Sequence, residues 1–337
     1  MPSFSTISSL SHSLLHRGRW FNLLLNEGSY LLSIVLKRPV MAGLPWSASI
    51  EPTTSCNLRC PECPSGLRNF TRPTGNLSVE NFSKMINELS PHLVYLTLYF
   101  QGEPLLNKQF AEMVKLAKKH NMYVATSTNG HFLDEETAKS LVASGLDKLI
   151  ISIDGTDQQT YEQYRKGGNL DTVKQGIRNI IAARKNAAKK NPLVELQFLV
   201  TGYNEHQMPG IRAFAREEKA DKLTLKSAQV YSFAEGNPLI PSADKHSRYR
   251  QMPGAKWQIK NSLPNRCHRQ WRAPVITWDG MVVPCCFDKD AEHIMGNLHE
   301  KPFRQIWKSP EYRAFRKKVF SARKDIEICT NCTEGMK

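Results

Sequence analysis

The sequence predicts an α/β protein, a partial (β/α)6 TIM-like barrel followed by a small cysteine-rich domain made of a β-hairpin and a helix. Three observations lead to this prediction. Short apolar runs alternate with helix-length segments from residue 47 to residue 230, which is the pattern of repeated strand–helix units. The eight cysteines form two groups, separated by 203 residues without a cysteine. The 337 residues suffice for one large and one small domain.

The alternation resolves into six strands and five helices. The helix between Asp134 and Gly145 shows how each is bounded, because aspartate caps a helix start and glycine adopts the left-handed turn at its end. Six such units favour an open barrel over the closed barrel of eight. Strands are expected at 47–51, 93–100, 123–127, 148–153, 193–200 and 222–226. Helices are expected at 78–89, 107–120, 134–145, 171–190 and 206–219.

An amphipathic helical extension is expected at residues 1–46, before the barrel domain at 47–230. Its apolar stretch is interrupted at residues 26–29 by Asn-Glu-Gly-Ser, whereas a membrane-spanning helix needs about 20 mostly apolar residues in succession. Two short amphipathic helices are therefore expected. They pack against the barrel or, in the alternative that the neighbouring Lys-Arg pair at 37–38 favours, contact a membrane surface through residues 14–40.

After the barrel, residues 231–262 indicate a linker, since Gly, Pro, Ser and basic residues replace the apolar periods. The remaining domain, 263–337, carries five of the eight cysteines. An Asp-Gly pair at 279–280 indicates the turn of a β-hairpin over 275–283, and a short helix is expected after it.

The cysteine distribution excludes a disulfide framework. A secreted, disulfide-stabilised protein spreads its cysteines through the fold, whereas here they lie near the two ends of the chain. Residues 1–19 also lack the apolar block and cleavage site of a secretion signal. We therefore expect metal or redox chemistry in the cytoplasm, with any membrane contact peripheral and at the inner face.

The first cysteine group directly follows the first predicted strand and reads Cys56-Asn-Leu-Arg-Cys60-Pro-Glu-Cys63. An iron–sulfur cluster normally has four cysteine ligands, so three leave an open position, which is typical of catalytic metal sites. The C-terminal ends of barrel strands are where enzymes of this architecture carry their active sites. Two alternatives remain, a thioredoxin-type pair of Cys60 and Cys63 and a structural zinc site with a fourth ligand.

In spacing and position, this motif resembles that of the radical S-adenosylmethionine (SAM) superfamily. The resemblance implies a [4Fe–4S] cluster ligated by Cys56, Cys60 and Cys63, with SAM bound to the open iron through its amino and carboxylate groups. It also implies that an external donor such as flavodoxin or ferredoxin supplies an electron. SAM is then cleaved to a 5′-deoxyadenosyl radical that takes a hydrogen atom from the substrate. The family often has an aromatic residue before the third cysteine, where this chain has Glu62.

Motifs after the next strands are similar to further family elements. The turn at 101–104, Gln-Gly-Glu-Pro, resembles the Gly-Gly-Glu-Pro turn that receives the SAM amino group, with glutamine replacing the first glycine. An Asn-Gly pair follows the third strand, and a serine ends the fourth, where a serine commonly contacts the SAM carboxylate or ribose. An arginine beyond it is placed to pair with that carboxylate. By resemblance, the SAM contacts are Gln101, Gly102, Glu103, Asn129, Ser152 and Arg165.

The second cysteine group is similar to the SPASM accessory domain of radical SAM enzymes. The resemblance rests on the spacing of four cysteines and a glycine. Twelve residues separate Cys267 from the glycine, four more separate that glycine from Cys285, and a C-x2-C pair lies farther along the chain. The resemblance implies one auxiliary [4Fe–4S] cluster, whereas a complete SPASM domain has more cysteines and two clusters. A zinc site is the alternative. Cys286 should point away from the site as a buried packing thiol, because adjacent strand residues face opposite ways. The implied ligands are Cys267, Cys285, Cys329 and Cys332.

The chain is basic, with 46 lysines and arginines, 31 acids and a formal net charge of +15. Basic residues cluster at 184–190, 248–260 and 301–324, which indicates either solvated helical faces or an anionic partner. Nucleic acid is not the expected partner, because aromatic residues do not interleave with the clusters as base stacking requires. SPASM enzymes often modify peptides, and others act on sugars or metabolites. We expect an anionic small-molecule, saccharide or peptide substrate.

The expected protein is a radical SAM oxidoreductase or maturase. Two other functions stay open at this point, a zinc-stabilised nucleic-acid-binding protein without SAM chemistry and an electron carrier that uses both clusters but no SAM. No catalytic acid or base can be named, because nothing in the spacing of Asp154, Asp279 and Asp288 singles one out.

Overall fold

The computed structural model describes residues 4–334, with the side chains of residues 10–16 and 18–334. The predicted extension and the predicted second domain therefore reach outside the described residues, at 1–3 and 335–337. The strands are β1 (Ser47–Ile50), β2 (Tyr95–Thr97), β3 (Tyr123–Thr128), β4 (Lys148–Ser152), β5 (Leu193–Val200), β6 (Lys222–Ser227), β7 (Tyr249–Gln251), β8 (Trp257–Ile259), β9 (Val275–Ile276), β10 (Met281–Val283) and β11 (Gly296–Asn297).

The helices follow the strands closely in the chain, as the predicted alternation requires. They are α1 (Phe4–Leu15), α2 (Arg19–Leu36), α3 (Pro64–Leu67), α4 (Val79–Leu89), α5 (Phe110–Lys119), α6 (Glu135–Ser144), α7 (Gln158–Tyr164), α8 (Leu170–Asn186), α9 (Met208–Glu217), α10 (Arg269–Arg272), α11 (Phe303–Trp307), α12 (Pro310–Ala322) and α13 (Glu327–Thr330).

Strands β1 to β6 are parallel and lie side by side in chain order. Helices α4, α5, α6, α8 and α9 connect them, and their apolar faces form one buried core with the sheet. The predicted α/β fold with a six-stranded partial barrel is confirmed. β2 is shorter than the predicted 93–100, because the chain bends after Thr97 toward the turn at 101–104.

A hairpin from the C-terminal region continues the same sheet. β9 pairs in parallel with β1, and β10 and β11 follow in antiparallel pairing, so that nine strands form one sheet. Gly280 turns this hairpin with φ +86°, a conformation that glycine adopts without strain. The predicted linker, 231–262, carries its own short hairpin of β7 and β8.

Side-chain caps fix the starts of several helices where the sequence predicts them. The side chains of Ser78 and Asp134 accept hydrogen bonds from the amides of Asn81 and Thr137 at the starts of α4 and α6. Gly145 ends α6 in the left-handed conformation, with φ +83°. Helix α7 was not predicted, because its seven residues are too few to show an apolar period.

The N-terminal extension departs from the prediction in where its helices break. The break lies at residues 16–18, and α2 runs through the polar residues 26–29 without interruption. These polar side chains do not end the helix because they face the protein. Asn26 Nδ2 donates to the Trp271 carbonyl (2.8 Å), and Ser29 Oγ donates to the Ala42 carbonyl (3.2 Å).

Arg19 attaches the start of α2 to the N-terminal ends of the barrel strands. Its side chain is fully buried, and its guanidinium donates to the carbonyls of Ser90, His120 and Asn121. These residues immediately precede the β2 and β3 regions of the chain. The extension therefore covers the N-terminal ends of the strands, at the end of the barrel opposite its mouth.

The basic cluster at 301–324 is not wholly the solvated face that one interpretation predicted. Arg316 and Arg323 are 0% and 1% exposed. The Arg316 guanidinium donates to the Trp307 carbonyl and lies 3.8 Å from the centre of the Tyr312 ring, which gives a buried cation a carbonyl and an aromatic face as partners. None of the helices within residues 4–334 is long and apolar enough to cross a membrane.

We predict that Arg19→Met lowers the free energy of unfolding by about 3 kcal/mol, because it leaves several buried carbonyls without donors, at about 1–3 kcal/mol each. Urea denaturation of the purified protein measures this change. The exposed Arg38 provides the control, since Arg38→Met should alter the unfolding free energy by less than about 0.5 kcal/mol. Equal effects of the two substitutions would contradict an anchoring role for Arg19.

Candidate active site

The first cysteine group lies in the loop after β1, at the mouth of the barrel, as predicted. Cys60 is buried, Cys56 and Cys63 are half-buried, and all three carry free thiols. They pack in one apolar cluster with Leu58 and Tyr164. Burial raises the pKa of Cys56 to about 11 and also raises the pKa of Cys60. A desolvated thiol of this kind gains its negative charge most readily by binding a metal.

Two polar side chains from the segments after β3 and α7 point at these thiols. Asn129, after β3, places Nδ2 3.9 Å from Cys56 Sγ, and Arg165, after α7, places Nη1 3.8 Å from Cys60 Sγ. The Nε of Arg165 is paired with the carboxylate of Asp154. Both groups can donate hydrogen bonds to a thiolate, so they favour its charged form.

The turn at 101–104 lies directly against the cysteine loop. Gly102 donates its amide to Ser65 Oγ (2.7 Å). Its φ is +75°, and a Cβ at this position would lie 2.3 Å from the Thr53 carbonyl oxygen. Only glycine allows this approach of two backbones. Gln101 is buried, and its Oε1 has no hydrogen-bond partner among the described residues.

Glu103 ties this turn to the third strand. Its carboxylate is buried and accepts hydrogen bonds from Thr128 Oγ1 and from the amide of Asn129, both at 2.7 Å. Burial raises the pKa of Glu103, and these donors oppose the increase. Ser152 is buried at the end of β4. The six residues predicted to contact SAM thus all lie near the C-terminal ends of β2, β3 and β4.

Glu62, the residue that departs from the resemblance, holds the cysteine loop against a later segment. Its carboxylate accepts from the amide of Tyr231 (2.8 Å) and from Asn237 Nδ2 (3.4 Å). A carboxylate here stabilises the loop through hydrogen bonds, in place of the packing that an aromatic residue would supply.

The second cysteine group comes from three separate parts of the chain. Cys267 precedes α10, Cys285 follows β10, Cys329 lies in α13, and Cys332 follows it. Burial raises the pKa of Cys267 to about 11 and that of Cys329 to about 12. The charge of Cys332 further raises the pKa of both thiols, and the charge of Cys267 further raises the pKa of Cys329.

Arg323 is a neighbour of this group that the sequence did not single out. Its Nη2 lies 3.5 Å from Cys332 Sγ. Cys286 packs beside Phe100, Val275 and Ala291 but is only half-buried, so its assignment as a buried packing thiol stays a prediction. No three His, Cys, Asp or Glu side chains within the described part of the chain converge closely enough to hold a single metal ion. The ligand sets inferred from the resemblance therefore stay predictions.

A cavity of about 270 Å³ opens beside Cys63. The turn residues Gln101 and Gly102 line it, as do two cations, Arg248 and Lys289. The sequence placed Arg248 only within a basic cluster, and it gave no signal that Lys289, four residues after Cys285, lines a cavity beside the first cysteine group. The same cavity is lined by Glu62, Phe100, Tyr164, Leu199 and Gln229.

Two protein-family models match the chain. The first, the radical SAM superfamily, matches residues 50–215, and the second, the iron–sulfur cluster-binding SPASM domain, matches residues 267–333. The chain belongs to the radical SAM superfamily.

Curated relatives and solved structures agree with this family. The chain is 24% identical over 315 residues to the tungsten-containing aldehyde ferredoxin oxidoreductase cofactor-modifying protein of Pyrococcus furiosus, covering 84% of this chain and 86% of the relative. It is 27% identical over 292 residues to the PqqA peptide cyclase of Gluconobacter oxydans, covering 81% and 79%. The fold is similar to Streptococcus suis SuiB bound to S-adenosylmethionine, with a TM-score of 0.63, 14% identity, and 88% and 73% covered.

The protein is therefore a radical SAM enzyme. Its cofactors are SAM, the [4Fe–4S] cluster of the radical SAM domain and the auxiliary iron–sulfur cluster of the SPASM domain. The donor set fits them, since both sites offer free thiols that are buried or half-buried, and none of the described cysteines forms a disulfide. The alternatives of a zinc-stabilised nucleic-acid-binding protein and of a simple electron carrier are wrong.

We predict that Gly102→Ala reduces the rate of 5′-deoxyadenosine formation at least about tenfold. The new methyl group would displace the cysteine loop, and a shift of about 1 Å near a reacting centre can cost as much as a hundredfold in rate. The rate is measured on reconstituted enzyme with SAM and a reductant.

Gly167→Ala is the matched control. Gly167 also has a positive φ, +77°, but a Cβ there would have no atom within 4 Å. The Gly167→Ala variant therefore has the conformational cost of alanine at a positive φ, about 1–2 kcal/mol of stability, without a steric clash between the new Cβ and the backbone. A comparable loss of activity in both variants would show that the close approach at Gly102 is not required.

Proposed function

We propose that the enzyme abstracts a hydrogen atom from an anionic substrate bound in the cavity beside Cys63. The substrate class is a saccharide, another small molecule or a peptide. The observation that supports this proposal is the cavity itself, which joins the first cysteine loop to two cationic side chains. The proposed domain limits are those predicted from the sequence, with the barrel at 47–230 and the cluster domain from 263.

The proposed ligands of the SAM cluster are Cys56, Cys60 and Cys63. When bound, the cluster and SAM supply the 5′-deoxyadenosyl radical chemistry of the superfamily. The chain's own residues orient SAM and exclude water. The SAM contacts that we propose are Gln101, Gly102, Glu103, Asn129, Ser152 and Arg165.

Several of these contacts have groups suited to the SAM methionine moiety. The unpartnered Gln101 Oε1 can accept a hydrogen bond from the amino group, and the Arg165 guanidinium can pair with the carboxylate. The role of Glu103 is to position the turn, because its carboxylate is already occupied by Thr128 and Asn129.

We propose one auxiliary [4Fe–4S] cluster, ligated by Cys267, Cys285, Cys329 and Cys332. Eight cysteines support this number, because three for the SAM cluster and four for one auxiliary cluster leave only Cys286. Arg323 helps to hold the negative charge of the thiolates, since its guanidinium faces Cys332. An external one-electron donor such as flavodoxin or ferredoxin completes the proposed system.

The names of the relatives indicate both cofactor and peptide substrates, and they do not favour one class over the other. One relative is named for modifying a cofactor, and another for cyclising a peptide. A cavity of about 270 Å³ accommodates a small molecule or a single side chain of a peptide. Either can carry a carboxylate, and a small molecule can also carry a phosphate.

We predict about eight irons per chain after anaerobic reconstitution, as two four-iron clusters require. Replacing Cys56, Cys60 and Cys63 with alanine should leave about four irons and abolish 5′-deoxyadenosine formation. Cys285→Ala should also leave about four. Iron and sulfide analysis, with chromatography of the SAM products, measures these outcomes.

Cys286→Ala is the control for the second group, because it removes an adjacent thiol that the proposal does not use. It should keep about eight irons. Loss of an auxiliary cluster in this variant, or its retention in Cys285→Ala, would contradict the proposed ligand set.

We also propose a peripheral membrane contact through residues 14–40. Its support is the inverted polarity of α2. The fully buried residues of this helix are polar, namely Arg19, Asn26, Ser29 and Ser33. Apart from Gly28, its exposed residues are Trp20, Phe21, Leu24, Leu25, Leu31, Leu32, Val35 and Leu36.

An anionic lipid surface matches this helix in shape and charge. Eighteen residues form a rod about 27 Å long, whose outer side is apolar and whose inner side is bonded to the protein. The exposed Lys37 and Arg38 follow at its end, and the chain as a whole carries a net charge of +15. Such a helix lies in the interface plane of a membrane, with its apolar face toward the acyl chains.

We predict that the double variant Leu24→Glu, Leu31→Glu reduces binding to phosphatidylglycerol vesicles at least about tenfold. Each leucine that the membrane buries contributes about 1.5–3 kcal/mol to binding. Both side chains are about 60% exposed, so the fold should survive. Co-sedimentation measures binding, and higher salt should weaken it.

Ile294→Glu is the matched control, because Ile294 is also exposed but lies far from the helix in the chain. It should bind vesicles like the unmodified protein. If the unmodified protein does not sediment with anionic vesicles but forms a dimer that the double variant loses, the apolar face binds a second copy and the membrane proposal is wrong.

A further inference from the structure

The cavity beside Cys63 is lined by a guanidinium group, that of Arg248, with one nitrogen that has no hydrogen-bond acceptor among the described residues. Arg248 donates its Nε to the Ser227 carbonyl (3.0 Å). Its Nη1 is buried, yet no acceptor for it exists among the described residues. A buried donor without a partner costs about 1–3 kcal/mol. In a cavity next to an active site, a bound ligand can supply the missing acceptor.

The charge around this cavity is positive. Two cations, Arg248 and Lys289, line it, and Glu62 is the one acid on its wall. The Glu62 carboxylate is engaged by the Tyr231 amide and by Asn237. Neither cation has a carboxylate within ion-pair distance among residues 4–334, since Lys289 Nζ donates instead to the Tyr231 hydroxyl (2.9 Å).

Arg248 also lies between the two cysteine groups. Burial lowers its pKa, while Tyr249, the thiols of Cys332 and Cys286 and the Tyr164 hydroxyl, which lie close by, oppose the decrease. Tyr164 packs with the first cysteine group, and Cys332 belongs to the second. A ligand held by Arg248 therefore lies close to residues of both cysteine groups.

We propose that Arg248 and Lys289 bind a carboxylate or phosphate group of the substrate. This inference rests on the proposed function, because it locates the substrate of that reaction. A guanidinium can bind either anion through two parallel hydrogen bonds, and the lysine adds a second positive charge that the anion neutralises.

The carboxylate of SAM is the other anion that could reach this cavity. Its proposed partner Arg165 faces Cys60 and Asp154, whereas Arg248 and Lys289 line the cavity next to Cys63. Gln101, which also lines the cavity, has an amide oxygen without a partner among the described residues, and this oxygen accepts only from an N–H or O–H group, such as the SAM amino group. We therefore assign SAM to the site formed by Gln101 and Arg165, and the substrate anion to Arg248 and Lys289.

The experiment uses the reconstituted, SAM-saturated holoenzyme and inorganic phosphate as the probe. Isothermal titration calorimetry measures phosphate binding, and a separate titration measures SAM binding. We expect Arg248→Met to weaken phosphate binding at least about tenfold, as the loss of a charge-assisted pair requires. We expect SAM affinity to stay within about twofold. Lys289→Met should weaken phosphate binding severalfold while leaving the Arg248–Ser227 contact in place.

Arg250→Met and Lys256→Met are the matched controls. Both side chains are exposed on the same hairpin region, so they remove the same charges outside the cavity and should leave phosphate affinity unchanged. They also report whether a general loss of positive charge explains the result.

Three outcomes would overturn the inference: no phosphate binding by the unmodified holoenzyme, unchanged binding in both cavity variants, or parallel losses of SAM and phosphate affinity, which would assign Arg248 to SAM. Phosphate binding requires no turnover. An enzyme that binds phosphate through Arg248 but does not cleave SAM would therefore contradict the proposed function and still support the anion site.

Discussion

The position of β1 within the sheet is the constraint on which the site depends. β1 pairs in parallel with β2 on one side and with β9 on the other. The first cysteine loop therefore leaves the barrel at the C-terminal end of β1. Cys267 lies before β9, and Cys285 lies after β10, which runs back to the same end. The two cysteine groups thus lie toward opposite ends of adjacent strands.

A second set of contacts keeps this pairing in place where β1 ends. Arg72 forms a bidentate ion pair with the fully buried Glu51 (2.6 and 2.8 Å), and Glu51 also accepts from the Trp278 amide. Asp290 accepts from the Thr71 amide and hydroxyl. Together these bonds join the chain after the first cysteine group to the C-terminal hairpin. Polar contacts, of which the Arg72–Glu51 pair is buried, therefore hold the two regions together in addition to sheet pairing.

What could be predicted from the sequence was local. The six strands, the helix between Asp134 and Gly145 and the turn at Gly280 depend on residues near each other in the chain, and the structure confirms them. Features that depend on distant contacts could not be found in this way. The polar residues of α2 indicated a break because their partners, such as Trp271, lie hundreds of residues away. The uncommitted nitrogen of Arg248 is recognised only once the cavity is assembled.

The exposed apolar side of α2 and the cavity beside Cys63 lie at opposite ends of the barrel. The apolar side of α2 belongs to the layer that Arg19 attaches to the N-terminal strand ends, whereas Cys63 and its cavity follow the C-terminal end of β1. A membrane bound by α2 would therefore lie behind the barrel, and the mouth would face water. An anionic substrate approaching from water avoids the negative lipid surface and meets a positive cavity, because charge of opposite sign in a cleft raises the local concentration of its ligand.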